Sequence, residues 1–120
     1  MDEQQLSKNR QLIEGAYAAF NARDIDAILR VMHPQIKWPR AWEGDHANGH
    51  DEVRAYWLRQ WAEIDPKVIP AGFSERDNGT LAVEVDQLVK DLEGNVLFDG
   101  KVTHVYVISD GLLRQMDIEM

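Results

Sequence analysis

The first part of the chain places apolar residues at the spacing of an α-helix. Four large apolar residues follow one another at intervals of seven, four and three positions and therefore share one helix face: Leu6, Ile13, Tyr17 and Phe20. This pattern predicts a first helix over residues 4–22. The apolar face of such a helix has to pack on a core.

Two further helices are predicted. The segment "IDAILRVM" (residues 25–32) follows Asp24, a residue type that accepts hydrogen bonds at helix starts, and it precedes Pro34, which ends a helix. A third helix opens at Gly49 with acidic residues in its first turn, where the helix dipole favours them. Its stripe at helical spacing consists of Val53, Tyr56, Trp57, Gln60, Trp61 and Ile64.

From Lys67 onward the pattern is that of extended segments separated by turn signals. Asn78-Gly79, Glu93-Gly94-Asn95 and Asp110-Gly111 supply the positive φ angles that hairpin turns need. The sequence therefore predicts four antiparallel strands, at residues 67–76, 80–90, 95–109 and 112–119. One short strand is predicted at 35–38, followed by a loop at 39–49.

Two of these strands exceed the usual length. A long strand twists and bends at a bulge or a glycine, and the candidates are Gly72 and Gly100. Bending at these points would give the sheet a concave face that helices can close.

Composition narrows the class of protein. The 120 residues fit one domain, spanning 1–120. The composition, with 44% hydrophobic and 28% charged residues, is typical of a globular protein. A net charge of −8 disfavours nucleic acid and anionic membranes as partners. The absence of cysteine excludes thiolate catalysis, and neither an apolar leader nor a spanning run is seen, so a cytoplasmic protein is expected.

Three stretches of the chain carry a family resemblance: "AYAAFNARDIDAILRVMHPQIKW", the helix start "GHDEVRAYW" and the terminal segment from "DNGTLAVEV" to "LLRQMDIE". They resemble the nuclear transport factor 2-like superfamily, and within it the SnoaL-like and ketosteroid-isomerase-like proteins. The resemblance implies an α+β, cystatin-like fold: three N-terminal helices packed on a curved, mostly antiparallel sheet, forming a cone-shaped, barrel-like body with an apolar pocket. It also implies a homodimer formed through the convex face.

The resemblance does not carry over the family's steroid isomerase chemistry. That reaction uses a tyrosine, a carboxylate base and a protonated carboxyl, and the matching positions here are Tyr17, Trp38 and Thr103. Trp38 cannot accept a proton from carbon, and Thr103 is a weak donor. The mechanism is therefore disfavoured, as is that of the limonene epoxide hydrolases, because the penultimate strand lacks their Arg-x-Asp.

Two registers are open for the strand at residues 80–90. The family register points Glu84 and Asp86 into the pocket and turns Leu81, Val83 and Val85 outward. The hydrophobic pattern alone predicts the reverse, with the three apolar residues in the core and the two acids in water.

The family register yields a catalytic hypothesis. Two buried carboxylates need partners or share a proton, which makes Asp86 or Glu84 the candidate base, with Tyr17 and Arg40 polarising an oxygen of the substrate. In the same register His104 faces outward.

All four tryptophans lie within residues 37–61, which indicates an aromatic-walled pocket. Plain core packing is the alternative for Trp57 and Trp61, and a simple helix-start role is the alternative for His50. The candidate ligand-binding residues are Trp38, Trp42, His50, Tyr56, Gln60, Trp61, Leu88, Thr103, Val105 and Met116.

Function follows as a set of rival hypotheses. The four histidines show no spacing typical of zinc, and no phosphate or dinucleotide loop is present, so neither a metal nor a cofactor is expected. The first hypothesis is a pocket for a small, partly apolar molecule, with cofactor-free acid–base activity of an isomerase, cyclase, dehydratase or hydrolase. The alternatives are a non-catalytic ligand-binding module and a dimeric interaction module.

Overall fold

The computed structural model describes residues 2–40 and 43–119. In chain order these residues form the helices α1 (Glu3–Asn21) and α2 (Ile25–Arg30), the strands β1 (Met32–Arg40) and β2 (Asp45–Asn48), the helix α3 (Gly49–Trp61), and the strands β3 (Ile64–Glu75), β4 (Leu81–Asp91), β5 (Val96–Ser109) and β6 (Leu112–Glu119). No helix within these ranges is both long and apolar enough to cross a membrane.

The strands form one sheet in the order β2-β1-β6-β5-β4-β3. Strands β3 to β6 make the predicted antiparallel meander, and β1 joins it by pairing in parallel with β6. The helices pack on one face of this mostly antiparallel sheet. The predicted α+β fold class is confirmed.

Strand β2 corrects the sequence prediction, which placed a loop there. The chain turns back after Arg40, where Gly44 N–H donates to the Arg40 carbonyl at 2.9 Å and Gly44 adopts a φ of +77°. Such a turn needs glycine, and it lets β2 pair antiparallel with β1. Pro34 lies inside β1 rather than after a helix, at an irregular stretch of the β1–β6 pairing where its missing N–H is tolerated.

Of the two glycines predicted as bending points, Gly72 lies at a bulge and Gly100 does not. The β3–β4 register shifts between Pro70 and Gly72, whereas Gly100 pairs regularly with Gln87. The strand β5 instead shifts near its start. Gly100 has a different role: a Cβ there would lie 3.3 Å from the Phe98 ring, so the absence of a side chain leaves room for that ring.

Helix α1 is fixed to the sheet edge by one amide. Asn21 donates from Nδ2 to the Val68 carbonyl at 2.8 Å and accepts the Val68 N–H at 3.0 Å. Pro66 and Pro70 direct their backbone toward the same edge and have no N–H to offer another strand. The edge is thereby closed, and Tyr17, one turn before Asn21, is held over the sheet.

The register of β4 and β5 overturns the family register. Val83 and Val85 are fully buried, while Glu84 and Asp86 are exposed on the opposite face. The pairing of Val83 with His104 carries the same phase into β5. The predicted pocket positions that face outward instead are Glu84, Asp86, Leu88, Thr103 and Val105. The physical reason is that apolar side chains occupy the core, so the carboxylates remain in water.

Candidate functional site

A small cavity of about 70 Å³ lies between α1, α3 and the inner face of the sheet. Its wall is mainly aromatic and aliphatic, and its polar groups come from Tyr17, Gln60, Gln87, His104 and Tyr106, with Tyr56 beside Gln60. No Asp, Glu, Lys or Arg from the described residues is among the residues that line it. The cavity is therefore apolar, with a few hydrogen-bonding groups.

The aromatic wall is built around Trp57, which is completely buried. Trp61 stacks on it with ring centroids 5.7 Å apart and planes 13° apart. Trp38 and Phe20 meet it edge-on at 5.4 Å and 5.9 Å. Three of the four tryptophans thus form one cluster, while Trp42 lies outside the described residues. Edge-to-face and stacked contacts of this kind hold rings in fixed orientations.

A buried chain of hydrogen bonds crosses the cavity wall. The Tyr106 hydroxyl donates to Tyr17 Oη at 2.9 Å, and Tyr17 Oη lies 2.7 Å from His104 Nδ1. Because Tyr17 accepts from Tyr106, its own hydrogen is free to donate to Nδ1, which places the histidine proton on Nε2. We refer to these residues as the Tyr106–Tyr17–His104 chain. Within residues 2–40 and 43–119, Nε2 of His104 has no hydrogen-bond partner.

The chain is uncharged at neutral pH. Burial lowers the pKa of His104 to about 4, so its imidazole is neutral at pH 7. Burial, together with the neighbouring Tyr106, raises the pKa of Tyr17 well above its ordinary value of 10, and burial does the same for Tyr106. The cavity therefore presents neutral donors and acceptors.

The structure places five of the candidate residues on the cavity wall: Tyr17, Trp38, Tyr56, Gln60 and Met116. Gln60, which interrupts the apolar stripe of α3, donates to the Tyr56 hydroxyl at 3.0 Å. Their roles in binding stay predictions.

Three other candidates do not line the cavity, and each contacts another group. Arg40 donates from Nε to Asp45 at 2.6 Å, holds the pKa of that carboxyl below its usual value, and borders a separate surface depression. The His50 Nε2 donates to the Met32 carbonyl at 2.9 Å. Trp61 packs against Trp57 and Phe20 and does not line the cavity.

Sequence reasoning missed His104, which it assigned to the outward face, and it did not consider Tyr106. The signal was present in β4, where Val83 and Val85 alternate with Glu84 and Asp86, and counting across the Glu93-Gly94 turn pairs them with β5. The family register was preferred over that pattern for the catalytic hypothesis, and this choice moved His104 to the wrong face.

Among the residues that the structure describes, no group of three or more His, Asp or Glu side chains could hold a metal ion.

Solved structures with the same fold are numerous. An NTF2-like protein of unknown function from Burkholderia pseudomallei is 24% identical, with a TM-score of 0.81 over 94% of this chain and 90% of that one. TerC, co-crystallised with polyporic acid, is 24% identical, with a TM-score of 0.80 over 92% and 89%. A candidate polyketide cyclase from Pseudomonas putida is 17% identical, with a TM-score of 0.77 over 91% and 88%.

At these identities the solved structures establish the fold alone, and a cystatin-fold protein from Novosphingobium aromaticivorans is among them. The search of curated proteins found no match. The model of the SnoaL-like domain matches residues 13–116, which run from the second half of α1 to the middle of β6 and include every element between them. The chain belongs to the SnoaL-like domain family.

Proposed function

We propose that the cavity binds a small, uncharged and mainly apolar molecule through one of its oxygen atoms. The observation that carries this proposal is the unpaired Nε2–H of His104, at the end of a buried hydrogen-bonded chain in an otherwise apolar cavity. Nε2 is not among the side-chain atoms that are both fully enclosed and without a partner, so it keeps accessible surface at which a carbonyl or hydroxyl oxygen of a ligand can act as acceptor.

Size and charge support this ligand class. A volume of about 70 Å³ has room for several water molecules and is about half that of an engineered apolar cavity that binds benzene, so the cavity would enclose only part of a one-ring ligand. An ion would lose its hydration without meeting an opposite charge on the described wall, which is costly. The half-exposed amides of Gln60 and Gln87 border the same cavity and offer polar contacts.

Cofactor-free proton transfer is the second candidate function. The short contact between Tyr17 and His104 favours it, because the pair could polarise a carbonyl and accept a neighbouring proton. The structural likeness to a candidate polyketide cyclase is compatible with it. Because burial lowers the pKa of His104 to about 4, its imidazole is a weak base at neutral pH, and binding ranks first.

The test uses two probes of the same shape. Cyclohexanone carries the oxygen and methylcyclohexane lacks it, and binding is followed by the fluorescence of the tryptophan cluster. We expect cyclohexanone to bind at least about tenfold more tightly, as one hydrogen bond in an apolar site allows. In His104→Phe this difference should disappear, whereas in the outer-face control Thr103→Val it should persist. Equal affinities for both probes in the wild-type protein would contradict the proposal.

The second candidate function, proton transfer, is tested by hydrogen exchange. In deuterium oxide, proton transfer would replace the α-hydrogens of cyclohexanone with deuterium, which mass spectrometry detects. Exchange above the buffer rate that is lost in Tyr17→Phe and His104→Phe would support catalysis. Binding without exchange would leave the chain a ligand-binding module.

A further inference from the structure

The exposure of the residues that line the cavity shows where it opens. Most of them, His104 included, are buried. The others are partly exposed, and we refer to them as the mouth: Phe20, Trp38, Pro39, Gln60, Gln87 and Ile118. Because the cavity would enclose only part of a one-ring ligand, the rest of a ligand bound at His104 lies at the mouth.

Gln87 is the mouth residue that differs most from its surroundings. Its neighbours on the inner face of β4, Val85 and Val89, are apolar and buried, whereas Gln87 is polar and partly exposed. Its amide has no hydrogen-bond partner in the part of the chain that the structure describes. Gln60, the other amide of the mouth, already donates to the Tyr56 hydroxyl. Gln87 therefore keeps its amide hydrogens and oxygen for water or for a ligand.

The sheet register gives the separation between Gln87 and His104. Pairing of β4 with β5 is regular in this region, where Gln87 lies opposite Gly100 and Val83 lies opposite His104. The four positions from Val83 to Gln87 cover about 13 Å along the strand. Both side chains line the cavity, and side chains stand roughly perpendicular to a sheet, so their ends are separated by a similar distance.

This separation sets the length of a ligand that meets both side chains. One hydrogen bond of about 2.9 Å at each end leaves roughly 7 Å between the two polar atoms of the ligand. Such a ligand is longer than a single ring with a polar atom on each side. Its inner part lies in the apolar cavity, and its outer polar group lies beside Gln87.

We propose that the ligand is an elongated, uncharged molecule with an oxygen at each end, and that Gln87 binds the outer oxygen, of the hydroxyl class, at the mouth. This inference rests on the proposed function, in which His104 binds the inner oxygen. A hydroxyl suits Gln87 because it can donate to the amide oxygen and accept from the amide nitrogen. Gln87 is a specificity-determining residue in this arrangement, because it distinguishes ligands that end in a hydroxyl from those that end in a methyl group.

The binding test uses two probes that differ in one group. 4-(2-Hydroxyethyl)cyclohexanone carries the outer hydroxyl, and 4-propylcyclohexanone has a methyl group in its place. Tryptophan fluorescence gives the ratio of their affinities, and comparing this ratio between variants cancels the difference in hydration of the free probes. Gln87→Met removes the amide and keeps the length of the side chain. We expect the ratio of hydroxyl to propyl affinity to fall at least about threefold, as one hydrogen bond that competes with water allows.

The outer face offers a matched control in Gln115. This glutamine is also partly exposed and lies in the same sheet, but it does not line the cavity. Gln115→Met should leave the ratio at its wild-type value. A ratio that is unchanged in Gln87→Met overturns the inference.

A shorter pair of probes separates the hydrogen bond from a general preference for apolar ligands. In 4-hydroxycyclohexanone the hydroxyl is attached to the ring and falls short of Gln87, and 4-methylcyclohexanone is its apolar counterpart. Gln87→Met should leave the affinity ratio of this pair unchanged. An equal fall for both pairs would mean that the variant favours every apolar probe, and it overturns the inference.

A second measurement uses the wild-type protein alone. The side-chain ¹H–¹⁵N signals of Gln87 and Gln115, assigned from labelled protein, are recorded at saturation with each of the two longer probes. A larger shift of the Gln87 signals with the hydroxyl probe than with the propyl probe, with Gln115 unmoved, supports the inference. Equal shifts of Gln87 with both probes overturn it.

The two proposals fail in different ways. If cyclohexanone binds no better than methylcyclohexane, the proposed function fails and the outer oxygen loses its basis. If cyclohexanone binds through His104 but Gln87→Met does not lower the affinity ratio of the longer pair, only the inference about Gln87 fails.

Discussion

The two faces of β4 and β5 are made from alternating residues of the same two segments, yet their chemistry is opposite. The inner face carries Val83, Val85 and His104 against the helices, and the outer face carries Glu84 and Asp86 in water. A shift of one residue would exchange the two sets. The comparison teaches that in this fold the register of two strands decides which titratable groups can reach a ligand.

The faces also differ in what burial does to those groups. On the inner face, burial keeps His104 neutral, and Tyr17 is its hydrogen-bond partner among the residues that the structure describes. On the outer face, Asp86 lies 3.6 Å from Lys101 with both side chains more than half exposed. A group on the inner face therefore depends on its neighbours, while one on the outer face has water as an alternative partner.

The largest effect is expected when a charge is moved from the outer face to the inner one. Val85→Asp buries a carboxylate without a partner and should cost more than about 4 kcal/mol of unfolding free energy, or prevent folding. Asp86→Val, next along the strand, should change it by less than about 1 kcal/mol. Urea denaturation measures both, and similar losses would show that the faces are not distinct.

The next effect comes from pH and His104. In the folded protein the pKa of His104 is about 4, below its ordinary value of 6.5. Between pH 4 and pH 6.5 the unfolded chain therefore binds a proton at this histidine that the folded chain excludes. The free energy of unfolding should therefore fall by roughly 3 kcal/mol as pH falls from 6.5 to 4. Above pH 6.5 His104 is neutral in both states, so this stability is fully present there.

Denaturation at several pH values measures this slope, which is the change in unfolding free energy with pH. The difference between wild type and His104→Phe isolates the contribution of one histidine from that of the carboxyl groups. The control Thr103→Val, on the outer face, removes no titratable group and should keep the slope. A slope that is unchanged in His104→Phe would contradict the assignment.

A smaller loss is expected from breaking the hydrogen-bonded chain. Tyr17→Phe leaves the Tyr106 hydroxyl without an acceptor and His104 Nδ1 without a donor, which should cost about 2 kcal/mol of unfolding free energy. Tyr106→Phe removes only the terminal donor and should cost less. Thr103→Val on the outer face should stay within about 0.5 kcal/mol, and equal losses in all three variants would count against the chain.

The smallest effect is expected on the outer face itself. Lys101→Met removes the ion pair with Asp86, and exposed pairs contribute little because water and salt compete with them. Unfolding free energy should stay within about 0.5 kcal/mol of wild type, at both low and high salt. A larger, salt-dependent loss would mean that this face is electrostatically coupled to the fold.

Much of the fold was predictable because its signals are local. The helix α1 was predicted within one residue at each end, since an amphipathic stripe is decided by residues three and four positions apart. The turns at Gly94 and Gly111 were predicted from residue type, and both glycines have positive φ angles. Strand β2 was missed because its four residues have no core of their own and depend on pairing with β1.

The site was less predictable, because it joins residues from distant segments. Tyr17, Trp38, Tyr56, Gln60 and Met116 were named as candidates and do line the cavity, whereas the carboxylates chosen as catalytic bases lie on the other face. The alternation of apolar residues in β4 predicted the correct face for these carboxylates. The register taken from the family resemblance predicted the wrong face, because members of one fold family differ in the chemistry of their sites.

The sequence by itself determined the helices, the turns and the family, because periodicity and turn chemistry act between near neighbours. Only the tertiary structure decided the face of β5. There Val102, His104 and Tyr106 alternate with Thr103, Val105 and Val107, two sets of similar hydrophobicity. Pairing with β4 and contact with Tyr17, 87 positions away, bury the histidine set, because only that arrangement keeps Val83 and Val85 out of water.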